Sequence, residues 1–149
     1  MTLKILLLLH LVSAMVWVGG MFFAYFCLRP AAVAVLEPAQ RLPLWAATFQ
    51  RFLRYAAIAV LLLLFSGLSM LLQVGFAAAP LGWNLMMLFG LTMALVFAYV
   101  YGVAYRRLCQ YCAAAQWKLA GAALNQIRQL VGINLVLAGA VLVAAVFAR

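Results

Sequence analysis

The sequence predicts an all-α integral membrane protein: a four-helix bundle in a single transmembrane domain over residues 1–149, N-out/C-out, with cytoplasmic helical extensions. Composition is the first observation behind this. Hydrophobic residues make up 72% of the chain and charged residues 7%, with a mean hydropathy of +1.22, far outside the range of soluble domains. The second is the spacing of charge. Lys4 and Arg29 enclose 24 residues without Asp, Glu, Lys or Arg, Arg54 and Arg106 enclose 51, and Arg128 and Arg149 enclose 20. A spanning helix needs about 20 apolar residues, so these gaps hold one, two and one helices. The third is a break in the middle gap, where Gly75, Pro80 and Gly82 gather in eight residues.

The elements follow in order. Span one covers about residues 5–28. Lys4 ahead of an apolar run, with Ser13-Ala14 near its end, is the pattern of a signal peptide, but apolar sequence continues to Cys27 and a membrane span is expected instead. Glu37-Pro38-Ala39-Gln40 reads as a helix start with proline in the first turn. Beyond it Leu42, Trp45, Phe49 and Phe52 recur at helical spacing opposite Gln40, Arg41, Thr48 and Arg51. This predicts an amphipathic segment lying on, or entering, the inner membrane surface. Span two covers about residues 55–74 and span three about 83–105. Residues 113–128 form a helical extension leading into span four, about 129–148. The two halves share a layout without a residue-level repeat.

Charge also gives the orientation. Arg29, Arg41, Arg51 and Arg54 lie between spans one and two; Arg106, Arg107, Lys118 and Arg128 lie between spans three and four. An even number of helices separates the two loops, so they share a side, and the positive-inside bias makes that side cytoplasmic. Only Lys4 and Arg149 then lie outside. The net charge of +9 would point to nucleic acid in a soluble chain. Here it serves topology and attraction to anionic headgroups, and no nucleic-acid partner is expected.

Polar groups inside a bilayer are costly unless satisfied, which makes the few present informative. They are His10, Ser13, Ser66, Ser69, Gln73, Asn84, Thr92 and Asn134, and the sole carboxylate, Glu37, lies in a loop. Paired-carboxylate catalysis, carboxylate metal cages, an Asp/Glu proton relay and a Ser/His/Asp set are excluded. His10 is the single histidine. Trp17 and Met21 share its face, since offsets of 7 and 11 residues return to within roughly 20° on a helix. Counted from the outer ends, Met70, Gln73, Asn84, Met86 and Met87 fall in the same layer, and Ser66, Met70 and Gln73 share one face of span two. One imidazole with two or three thioethers is a soft ligand set for Cu(I), or an axial pair for haem b iron. Met86 and Met87 differ by about 100° around the helix, so at most one faces His10. Met87 is the choice, being nearer the face of Asn84, which is expected to look inward.

Cys109-Gln110-Tyr111-Cys112 is a C-x-x-C at the cytoplasmic end of span three, with Cys27 at the same membrane side. Thiols at i and i+3 share a helix face and could hold a soft metal, while a stable disulfide is not expected in a reducing cytoplasm. Trp17-Val18-Gly19-Gly20 and the pair Gly132 and Gly139 offer small surfaces for close helix approach. Trp83, Tyr99, Tyr101 and Tyr105 suit an interfacial belt. Gly- and Ala-rich faces of span four could support a homodimer.

The run from His10 to Phe23, with Trp17-Val18-Gly19-Gly20 inside it, resembles the CopD family of bacterial inner-membrane copper-handling proteins. Leu28-Arg29-Pro30-Ala31, Tyr105-Arg106-Arg107-Leu108 and the stretch from Ile127 to Asn134 are similar to it as well. The chain looks like a stand-alone four-helix version of a domain found in longer members. Its His-bearing first helix is also similar to that of HemJ-type protoporphyrinogen oxidases, which bind haem. The resemblance implies a protein that binds Cu(I) near the outer face and assists its passage inward, a transport or metal-binding protein rather than an enzyme. His10 with Met70 or Met87 would receive the ion, and Cys109 with Cys112 would form an exit pad. The haem reading makes His10 an axial ligand for electron transfer or porphyrin oxidation, and a third reading is a structural subunit without a cofactor. The orientation predicts that membrane-impermeant maleimides reach Cys109 and Cys112 only from the cytoplasmic side; labelling from outside in intact cells would reverse it.

Overall fold

The computed structural model describes residues 2–147, without the side chain of Thr2, and is built from four long helices: Leu3–Val35, Pro38–Val74, Leu81–Ala113 and Trp117–Val146. Arg149, expected outside, lies beyond the described residues. Each helix has an apolar stretch long enough to cross a membrane. They alternate in direction, the first packing mainly against the second and the third against the fourth. Large apolar side chains cover the outside, with Met15 69%, Leu61 68% and Leu95 73% exposed. In water such a surface would drive aggregation; in lipid it is the solvated face. The chain is thus a multi-pass membrane protein.

The helices contain 33, 37, 33 and 30 residues, or about 45–55 Å at 1.5 Å per residue, against a hydrocarbon core of about 30 Å. The connection at residues 75–80 is short, so the excess length stands at the opposite, basic end. This corrects one expectation. The segment after Pro38 does not form a separate surface helix but continues without a break into span two. Of its expected apolar face, Leu42, Trp45 and Phe49 are buried and Phe52 half-buried, against neighbouring helices rather than lipid. Of the extension expected over residues 113–128, the part from Trp117 joins span four, whereas Ala113 ends the third helix and 114–116 form the turn between them.

Two π-helical turns lie toward the basic end, at Ala24–Leu28 and Val100–Ala104. The first has a visible cause. Pro30 has no N–H and its ring crowds the preceding turn, and the helix continues by widening, the Arg29 N–H bonding Ala24 O. Π-turns of this kind are how a helix absorbs a local misfit.

The core joins all four helices. Trp17 meets Phe97 edge-on at a centroid distance of 5.9 Å. Gly20 is the position of closest approach, since a Cβ there would strike the ring of Phe52. Tyr25 rests on Gly132, its Cε2 standing 3.4 Å from where a Cβ would be. Gly19 and Gly139 meet nothing within 4 Å, so the packing role expected of them is not realised within this chain. They face outward, where a glycine leaves the surface bare. Asn134, 3% exposed, donates from Nδ2 to Met93 O at 3.2 Å and ties the fourth helix to the third.

The two turns differ in how well their residues suit them. Gly75, at φ 85°, closes the second helix through its N–H to Leu71 O, a backbone region open to glycine. The third helix ends in a Schellman arrangement, with Gln116 N–H bonding Tyr111 O at 2.9 Å and Ala115 N–H bonding Cys112 O at 3.1 Å. Here the left-handed position is held by Ala115 at φ 52°, which costs an L-residue about 1–2 kcal/mol. Ala115→Gly is therefore expected to stabilise the protein by about 0.5–1 kcal/mol, and Gly75→Ala to destabilise it. Thermal unfolding in detergent checks both signs; a lower midpoint for Ala115→Gly contradicts the strain.

Candidate functional site

His10 turns toward the second helix. Its Nδ1 lies 3.1 Å from Ser66 Oγ, and Ser66 is 0% exposed. Ser66 Oγ is also 2.7 Å from Leu62 O and 3.1 Å from Leu63 O, both carbonyls of its own helix. A hydroxyl carries one proton, and carbonyls can only accept; with that proton given to the nearest acceptor, Leu62 O at 2.7 Å, Ser66 Oγ accepts from the imidazole, which is then the Nδ1–H tautomer with its Nε2 lone pair open. A ring held through one nitrogen with the other open is the usual arrangement of a ligating histidine.

Gly67 makes the approach close. A Cβ built there would stand 3.1 Å from His10 Cε1 and 3.9 Å from Met87 Cε. The first and third helices thus meet over one residue of the second, and the imidazole and the Met87 methyl border the same small space. Met70 lies one turn beyond Ser66 on the second helix and, like Met86 and Met87, is half-buried. Gln73 is exposed. Asn84 does not look into the bundle as expected: its Nδ2 donates to Phe76 O at 3.3 Å, satisfying a turn carbonyl left free where the helix breaks. Gly67 went unread in the sequence because its lack of a side chain matters only once the partner helix is known. The visible signal was its place directly after Ser66 and one turn before Met70 on the second helix.

At the basic end, Cys109 and Cys112 are half-buried, Cys27 is exposed, and all three are free thiols. Burial, and secondarily the neighbouring Cys109, pushes the Cys112 thiol up, so it is largely protonated at neutral pH and would release a proton on binding a metal. Met87 and Cys109 are separated by about 33 Å along their helix, so the two groups form two places and not one. Among the described residues no three His, Cys, Asp or Glu side chains stand together. What the turn end offers is one imidazole nitrogen and thioether sulfurs, all neutral. Neutral soft donors suit a monovalent soft cation, whereas a divalent ion would bring a second charge into the bilayer with no carboxylate to balance it.

The family model described as "Copper resistance protein D" matches residues 46–148. The match takes in most of the second helix and the third and fourth, including Met70, Met87, Cys109 and Cys112, and leaves His10 outside. Neither a curated protein nor a solved structure matches. With four apolar helices of spanning length and a family match over most of its sequence, the chain belongs to the CopD family and is a copper-related membrane protein.

Proposed function

We propose that the protein binds Cu(I) at the outer end of the bundle, in the bacterial cytoplasmic membrane, and assists its passage inward. His10 Nε2 supplies the nitrogen ligand and Met87 or Met70 the sulfur, with Cys109 and Cys112 as the receiving pair at the inner end. The observation that supports this reading is the hydrogen bond that holds His10 through Nδ1 to Ser66, on a ring that borders Gly67 together with the Met87 methyl. Family membership supports copper as the cargo. A low-coordinate site of neutral ligands holds Cu(I) without stabilising it deeply, which suits a protein that must pass the ion on. At the inner end the donors become thiols that lose protons as they bind, so the ion meets harder-binding, anionic ligands in the direction of travel.

The test is an anaerobic Cu(I) titration of the purified protein against a chromophoric Cu(I) chelator. His10→Ala is expected to abolish the outer site. Ser66→Ala should weaken Cu(I) by about 10- to 100-fold, the usual effect of removing the partner that orients a ligating histidine, with the thermal midpoint little changed. Unchanged affinity in both variants would refute the site. A Soret band that disappears in His10→Ala would assign His10 to haem instead.

A further inference from the structure

The basic end of the bundle holds a feature that copper handling does not use. A cavity of about 380 Å³ opens among the first, second and fourth helices. Three helical stripes line it: Tyr25, Arg29 and Val33; Arg41, Trp45 and Phe49; and Lys118, Asn125, Arg128 and Val131. Four cations from three helices therefore border one space. The protein has ten Lys and Arg and one carboxylate, Glu37, which is exposed and not part of the lining. Arg29, Arg41 and Arg128 are half-buried. Among the described residues the one protein acceptor for them is Leu36 O, 3.5 Å from Arg41 Nη1, and each guanidinium has five donors to satisfy. Gathering cations in a shared cavity without counter-charge is unfavourable unless an anion enters it.

We propose that this cavity binds the phosphate of an anionic lipid headgroup. Arginines match phosphate oxygens in a forked, charge-assisted geometry, and basic pockets between membrane helices at the cytoplasmic face are suited to such headgroups. The remaining lining separates a lipid from free phosphate. From Lys118 to Val131 the cavity follows the fourth helix for about 20 Å. Its membrane-side end is apolar, made by Phe49, Ile127 and Val131, and Trp45 and Tyr25 line it between. A hydrated inorganic ion gains nothing from that wall, whereas a glycerophospholipid places its phosphate among the arginines and its glycerol and first methylenes against the rings. The π-turn at Ala24–Leu28 belongs to the same arrangement: it carries Tyr25, whose ring seats on Gly132 and forms part of the lining.

Native mass spectrometry of the intact protein in neutral detergent, with equimolar phosphatidylglycerol and phosphatidylcholine, tests the proposal. The wild type should retain phosphatidylglycerol with at least about tenfold preference, and R41Q/R128Q should bring that preference to within about twofold. R106Q/R107Q, which removes the same charge from exposed residues outside the cavity, should leave it intact. K118Q, exposed and outside the bundle packing, should give a partial loss and covers the case in which R41Q/R128Q does not fold. Parallel arms with inorganic phosphate and glycerol phosphate should show no retained adduct. Equal retention of both lipids, an equal loss in R106Q/R107Q, or retention of inorganic phosphate as strong as that of phosphatidylglycerol would each overturn the proposal.

Discussion

The hydrogen bond between His10 and Ser66 is the interaction on which the turn-end half of the molecule depends. A bilayer offers no water to an imidazole, so its polar atoms must be satisfied by the protein or exposed to a ligand. Here Nδ1 is satisfied by Ser66. Ser66 can orient the ring because its own proton is already used on the carbonyls of its helix. Gly67 can accept the ring because it has no side chain to exclude it. Two adjacent small residues on the second helix thus fix a tautomer on the first and leave the ring beside a thioether of the third. Ser66→Ala would preserve the helix and lose the tautomer, which is why the pair matters more to chemistry than to stability.

The two ends of the bundle follow different electrostatic rules. At the turn end every donor is neutral, and the site can tolerate one added positive charge and little more. At the basic end the helices outrun the hydrocarbon, and cations of the first, second and fourth helices face one cavity. The thiols of Cys109 and Cys112 sit at this end of the third helix, where a released proton has water to go to. The same geometry therefore separates neutral soft donors at the turn end from clustered cations at the basic end. The close approaches at Gly20 and Gly132 bring the first helix against its neighbours between these ends and keep both in register.

Much of the fold was legible because a membrane imposes a coarse code: long uncharged gaps can be little else, and their basic borders report sidedness. The boundaries were less legible. Leu42, Trp45 and Phe49 form an apolar stripe that looks the same whether it faces lipid headgroups or another helix, and only tertiary structure decides between them. Span one was expected to end near residue 28, yet after the π-turn at Ala24–Leu28 the helix runs on past Pro30 to Val35. At the candidate site, depth and face singled out His10, Ser66, Met70 and Met87, of which the structure joins His10 to Ser66 and sets the Met87 methyl near Gly67. Asn84 misled, since a polar side chain near a broken helix is drawn to the turn's free carbonyls before it is drawn to the bundle interior. Gly67 carried no signal of its own, and Arg29, Arg41 and Arg128 were absorbed by the topology argument, which explains why they lie on one side but not why they share a cavity.

The tautomer of His10 is the central claim, and the chain's single histidine makes it directly measurable. Nitrogen-15 NMR of the protein labelled only at histidine reports one imidazole. A protonated Nδ1 and an unprotonated Nε2, with the Nε2 resonance alone moving markedly when Cu(I) is added, is the result expected. A protonated Nε2, or an Nε2 resonance indifferent to Cu(I), would contradict it.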